Sequence, residues 1–199
     1  MGAREENRER REQTLIDAAV SAIAELGLSS VRMSDIAERA GMTTGHVSYY
    51  FPLKSDLLRK AIESSERGLI DDAQAAVDEL SDPLSKLEAL IDLSSADGPG
   101  DPGWLLWFQV WAEAALDKTI AESHHLLDGE WRALLRTVID EGARSGAFDV
   151  ADVTTTATAI AGMLDGLSIQ LAMGAPDYSA EEIRRIAATI SRQLLGVRA

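Results

Sequence analysis

Apolar positions recur at helical spacing along almost the whole chain. Leu15, Ala18, Ala19, Ala22, Ile23 and Leu26 mark one face of an amphipathic helix that Gly27 ends. After a short connector, Leu28 to Val31, the residues Ile36, Ala37 and Ala40 predict a second helix starting near Asp35. Gly41 can take positive φ at no steric cost, so the chain can turn there. Thr43 is placed to cap a third helix, which carries Val47 inward and His46, Ser48, Tyr49 and Tyr50 outward. Pro52 breaks the pattern, and Leu57, Leu58, Ala61 and Ile62 predict a long helix from Lys54 to about Leu80. Asp82-Pro83 reads as an N-cap and first helical residue for a helix over 83–96. The segment Asp97 to Gly103, with three Gly and two Pro, is a loop. Helices follow from Trp104 to about Lys118, over 119–145 and over 150–173. Ser179 and Glu182 form a capping-box pattern before a last helix to about Leu195. The expected fold is all-α, with nine helices and no strand.

Composition narrows the class. The 199 residues are 46% apolar, enough for a sizeable core, and contain no cysteine, so disulfides and Cys-based zinc sites are excluded. No run of 18 apolar residues exists, and the charged stretch Met1 to Glu12 has no apolar core of a secretory signal; a cytoplasmic location is expected. The net charge of −14 is unevenly spread. Residues 1–67 hold 10 Lys+Arg against 11 Asp+Glu, a net of −1, and residues 68–199 carry the other −13. The Debye length at ordinary salt is about 8–10 Å, so the acidic part does not cancel a local basic footprint near the second and third helices.

Two short helices joined by a Gly-containing turn make a helix-turn-helix, whose second helix fits the DNA major groove. Residues 14–62 resemble the DNA-binding domain of the TetR (tetracycline-repressor-type) regulator family. The resemblance rests on Asp35-Ile-Ala37, Ala40-Gly41 with Thr43 and Gly45, Tyr50-Phe51, and Lys54 with Leu57-Leu58. Further along, the nine-helix count, the Trp-rich segment and Leu164-Asp165-Gly166-Leu167 are similar to the subgroup of the choline-responsive betaine-pathway repressor. The resemblance implies a three-helix head, residues 1–53, joined by the helix beginning at Lys54 to a ligand-binding and dimerisation body, residues 54–199. It also implies that Thr43 to Tyr50 read an operator in double-stranded DNA. Thr43 and Thr44 would meet a phosphate at the helix N-terminus, Gly45 would let the backbone approach, His46 and Tyr49 would reach base edges or thymine methyls, and Ser48 would face the DNA beside them. Tyr50 and Lys54 would contact phosphates, with Arg8 and Arg11 as a possible arm. A second reading makes Tyr49, Tyr50 and Phe51 a small core, which is favoured for Phe51, and makes Arg8 and Arg11 part of a solvated charge run. One departure stands out: family members commonly have Thr or Ser where this chain has Arg32. The cap is then expected at Ser34 or Ser30, with Arg32 reaching a phosphate.

The candidate input lies in the second half. Trp104, Trp107 and Trp111 fall at i, i+3 and i+7 with Phe108 between them, Trp131 lies on the next helix, and Asp165 interrupts an apolar one. Such a stripe is usually packing, yet aromatic faces with a carboxylate also make a cage for an organic cation. A small-molecule effector is therefore expected, a cationic amine or else an uncharged hydrophobic compound. The helices over 150–173 and 180–195 are the expected homodimer interface, with Ala157, Ile160, Ala161, Leu164 and Leu167 as an apolar face and Gly162 and Gly166 allowing close approach; packing within one subunit is the alternative. No catalytic motif, cofactor motif or metal site is expected. His124 and Asp128 share a helix face but lack a third ligand, and a solvated face is the better reading. A ligand-free DNA-binding protein fits the Trp-rich acidic half poorly.

Overall fold

The computed structural model describes residues 2–197, and the side chains of Ala3, Arg4 and Thr119 lie outside that description. Among the described residues there are nine helices and no strand. They are α1 (Ala3–Leu26), α2 (Met33–Arg39), α3 (Thr44–Tyr50), α4 (Lys54–Asp78), α5 (Pro83–Ser94), α6 (Pro102–Ala114), α7 (Lys118–Ser145), α8 (Val153–Ala172) and α9 (Ala180–Leu194). The predicted breaks at Gly27 and Gly41 are present; the predicted 97–103 loop is shorter than expected, since α6 starts at Pro102 just after Asp101, which accepts from the backbone N–H groups of Asp97 and Trp104 (2.9 and 3.1 Å). The first helix differs from expectation. It reaches back to Ala3, because the interleaved acids and bases lie one turn apart and pair along the helix, as Arg8 does with Glu12 at 2.8 Å.

The chain divides into two compact units, residues 1–67 with 105–124 and residues 68–104 with 125–199. In the first, Leu15, Ala19 and Ile23 of α1 close on Ile36 and Ala37 of α2, Val47 of α3, and Leu57, Ala61 and Ile62 of α4. Leu106 and Val110 of α6 belong to the same core. Fully burying each such Leu, Ile or Val contributes about 1.5–3 kcal/mol, so this one cluster sets the geometry of the two short helices, α2 and α3.

In the second unit, α5, α7, α8 and α9 enclose Leu87, Leu90, Ile91, Leu135, Ile139, Ile160 and Leu164. Asp82 and Asp152 cap α5 and α8. Each carboxyl is held below its ordinary value, chiefly by the backbone N–H of Ser85 and of Thr155 respectively. Ser168 of α8 accepts from the N–H of Ala96 at 3.2 Å, tying the end of α5 to α8. Gly142 faces Phe148 so closely that a Cβ there would stand 2.0 Å from Cδ2 of the ring. Ala for Gly ordinarily gains up to about 1 kcal/mol in a helix. Here the sign should reverse: Gly142→Ala is expected to lower stability by about 1–3 kcal/mol in urea unfolding, since the buried ring must move.

Candidate nucleic-acid interface and effector site

The turn of the motif follows from two residues. Gly41 has φ 63°, in the left-handed region, which lets α2 stop within one residue. Thr43, in extended conformation, then accepts the His46 N–H at 3.2 Å and caps α3. The cap of α2 stays at Arg32, not at Ser34 or Ser30 as expected. The reason is local. Asp35 sits at the third helical position and its carboxylate takes the Arg32 N–H at 2.8 Å, so the backbone is held by the acidic partner and no hydroxyl is required.

α3 buries Val47 completely and presents Thr44, Gly45, His46, Ser48 and Tyr49 to solvent, with Tyr49 74% exposed. Phe51 belongs to the core, as its sequence reading favoured. Tyr50 is half-buried against the same core, and its ring meets Tyr49 edge-on at 5.2 Å. Thr43 and Arg32 are exposed, and Lys54 is partly buried at the start of α4. The hydrogen bond and charge of Glu12 hold the Arg8 guanidinium above its usual value, with small additions from the phenols of Tyr49 and Tyr50. Several nearby cations are already paired: Arg39 with Glu25, Arg59 with Glu63 at 2.7 Å, and Lys60 with Glu63 at 3.6 Å. Arg32 and Lys54 have no ion pair among the described residues.

The residues singled out as an effector site fall in different units. Trp107, Phe108 and Trp111 belong to the first, and Trp104, Trp131 and Asp165 to the second. In the first unit the Trp107 and Trp111 rings lie 6.1 Å apart, and Trp111 and Phe108 6.3 Å apart. Trp107 also meets the His124 imidazole at 5.5 Å in an edge arrangement. His124 is buried, not on the solvated face expected of it, and its Nδ1 lies 3.2 Å from Oε1 of Glu66, itself 3% exposed. Asp128, its expected neighbour, instead accepts from Arg132 Nε at 2.7 Å. The sequence reading passed over Glu66. The available signal was its place on α4 between the apolar turns Ala61-Ile62 and Ala73-Val77. One turn earlier, burial works to raise the Glu63 carboxyl, but bonds from Arg59 and Ser123 outweigh it and hold the group below its ordinary range.

In the second unit Trp104 is buried, Trp131 packs at the edge of the core, and Asp165 is only half-buried. Its carboxylate lies 3.8 Å from the Arg132 guanidinium, so it is not a lone buried charge. A cleft of about 560 Å³ also opens in the first unit, lined by Leu28, Lys54, Leu58, Arg59, Glu113 and Asp117 among others. No tryptophan lines it, and its rim mixes ammonium, guanidinium and carboxylate groups. No group of three His, Asp or Glu able to hold a metal occurs among the described residues, and no helix there is long and apolar enough to cross a membrane.

A helix-turn-helix head and an all-α second unit define a class, that of the ligand-responsive DNA-binding regulators. Comparison with known proteins makes the class specific. The family described as bacterial regulatory proteins, tetR family, matches residues 15–61, and the BetI-type transcriptional repressor C-terminal family matches residues 83–196. The chain belongs to the TetR family, with a C-terminal half of BetI type, and is a DNA-binding transcriptional regulator. It is 30% identical to the HTH-type transcriptional regulator BetI 2 of Chromohalobacter salexigens, over 93% of this chain and 88% of that one. It is 29% identical to BetI of Paraburkholderia phymatum over 90% of each chain. A transcriptional regulator from Saccharomonospora viridis, solved in complex with choline, superposes with TM-score 0.85 at 26% identity, covering 92% of this chain and 95% of that one. A Haloarcula marismortui TetR regulator, at 21% identity and TM-score 0.80 over 94% of this chain and 97% of that one, shares the fold.

The Thr43 cap can be tested directly. Thr43→Ala should cost about 1 kcal/mol of stability, read from the shift in the urea midpoint, because the first turn of α3 loses its acceptor.

Proposed function

We propose that this regulator is a homodimeric repressor that releases a palindromic operator when a small organic cation of the choline type binds. The observation that carries the effector reading is the buried Glu66 carboxylate beside His124, with the ring of Trp107 against that imidazole and Trp111 next in line. A quaternary ammonium has no N–H to donate, so it is recognised by π faces and by opposite charge, and this cluster supplies both. The choline carried by the Saccharomonospora viridis regulator supports the same ligand class. Phe108 is a further proposed ligand-side residue of the first unit, with Trp107 and Trp111 as the principal contacts, and Trp104, Trp131 and Asp165 stay a separate proposal within the second unit.

At the output end, the exposed residues of α3 support reading of the major groove. His46, Ser48 and Tyr49 would meet base edges, and Gly45 leaves room for the backbone. Thr43, Thr44, Tyr50, Arg32 and Lys54 would hold phosphates. Residues 1–53 would thus act as the reading head and the remainder as sensor and dimerisation surface, working in the cytoplasm where operator and metabolite meet. For the dimer, the face carrying Ala157, Ile160, Ala161 and Leu164 is spent inside the second unit. The open sides of α8 and α9 carry exposed Gly162 and Gly166, with open space where their Cβ atoms would be, and Met173, Ile190 and Leu194, which are 62, 37 and 43% exposed. These are the residues we assign to the two-fold contact, which would set the two α3 helices one DNA turn apart, about 34 Å.

Three measurements test this reading. Calorimetry should give saturable binding of choline and none, or far weaker binding, of its neutral tert-butyl analogue. Trp107→Ala should weaken choline binding at least tenfold, and absence of choline binding at millimolar concentration would sink the cation assignment. Arg32→Ala and Lys54→Ala should each weaken operator binding across sequences and reduce the salt slope, d log K/d log[salt], by about 2, one phosphate contact being lost in each protomer. Sedimentation at micromolar concentration should show a dimer; a monomer would overturn the assembly.

A further inference from the structure

The side chain of Gln109, on α6, completes the end of another helix. Its Oε1 accepts the N–H of Leu28, just past the end of α1, and its Nε2 donates to the carbonyl of Ile23 at 3.3 Å. The same Nε2 reaches Leu105 of its own helix at 3.3 Å, so three of the amide's hydrogen-bonding positions are used. Gly27 lies at this junction with φ 87°, and a Cβ on it would already be 3.4 Å from Gln109 Oε1. On either side, Leu106 and Val110 enter the core shared by α1 to α4. α6 therefore has one face keyed to the end of α1 by an amide. Trp107 and Trp111 stand two residues before and after Gln109, about 200° round the helix and so nearly opposite.

We propose that Gln109 is the positioning residue that converts occupation of the Trp107–Trp111 face into movement of the DNA-reading head. The proposal rests on the effector reading above. A ligand inserted against the two tryptophans rolls α6 about its axis. A roll of about 10° at a radius of about 5 Å displaces the amide by nearly 1 Å. Hydrogen bonds weaken steeply over such a distance, whereas the apolar contacts of Leu106 and Val110 are non-directional and slide. Gln109 is thus the contact on this face that cannot follow the roll. Its loss frees the end of α1, to which α2 and α3 are packed through Ile23 and Ile36.

The test is the ratio of operator dissociation constants with and without saturating choline chloride. In Gln109→Leu, operator affinity without ligand should stay within about threefold of wild type and choline binding should be retained. The choline-dependent ratio should fall at least fivefold, and amide exchange at Leu28 should become faster in the free protein. An unchanged ratio alongside faster Leu28 exchange would overturn the proposal, because the bond would then be structural only. Gln109→Glu keeps the acceptor for Leu28 but sets a carboxylate against the Ile23 and Leu105 carbonyls; it carries the test if the Leu variant fails to fold. If choline does not bind the wild-type protein, the effector reading fails by itself. Gln109 is then judged by the cycle Trp107→Phe with Gln109→Leu, read as operator affinity without ligand. A coupling of fivefold or more supports the positioning role, and additive effects overturn it.

Discussion

The burial of Leu106 and Val110 in the same core as Ile23, Leu28, Ile36 and Val47 is the constraint on which the first unit depends. The two helices of the motif, α2 and α3, have seven residues each and are not stable alone, so they depend on this shared core. α6 is part of the head's core, and its phase is fixed by burial. The phase of the opposite face follows. Trp107 and Trp111 cannot turn inward without pulling Leu106 and Val110 out, so the aromatic surface is held ready at a cost already met by folding. The proposed sensing residues and the proposed reading residues therefore flank one packed cluster.

Charge placement on that cluster has a matching logic. Burying a carboxylate costs several kcal/mol unless it is compensated. Glu66 lies 3.2 Å from an imidazole that is itself edge-on to Trp107. Glu63, one turn earlier and more exposed, is held by Arg59 and Ser123 and is committed to structure. The two acids differ in what they face: Glu63 meets a guanidinium, and Glu66 meets an imidazole beside a π surface.

The helices were legible because their signals are local: apolar period, Gly at the stops, Asp-Pro and Ser-x-x-Glu at the starts. Val47 and Phe51 could be placed inward, and His46, Ser48 and Tyr49 outward, from phase alone. The cap at Arg32 was not legible, because a preference for hydroxyls at that position says nothing of an acid three residues later taking over the backbone N–H. His124 was misplaced for a different reason. Its only visible partner was Asp128, on the same helix, while its actual partner Glu66 is 58 residues earlier, and contacts of that separation leave no trace in periodicity. The tryptophan stripe was legible as a stripe, but not as residues of two separate units. The apolar face of α8 was read correctly as a face, and its partner proved to be its own unit.

The reading head is close to neutral, and the reason lies in its pairing. Arg8 and Arg39 are matched by Glu12 and Glu25, and at the start of α4 Arg59 and Lys60 are matched by Glu63, while Arg32 and Lys54 have no ion pair among the described residues. A head that neutralises only a few phosphates has a shallow salt dependence and weak non-specific binding. In the proposed dimer, repeating the head by two-fold symmetry would raise affinity through effective concentration, but only while the spacing matches the groove. Spacing would then be the controlling variable. A displacement of about 1 Å at the end of α1 would matter little to one head's contacts, yet it would be felt by both heads at once. A strongly basic head would hold its operator despite such a shift; a near-neutral one would let go.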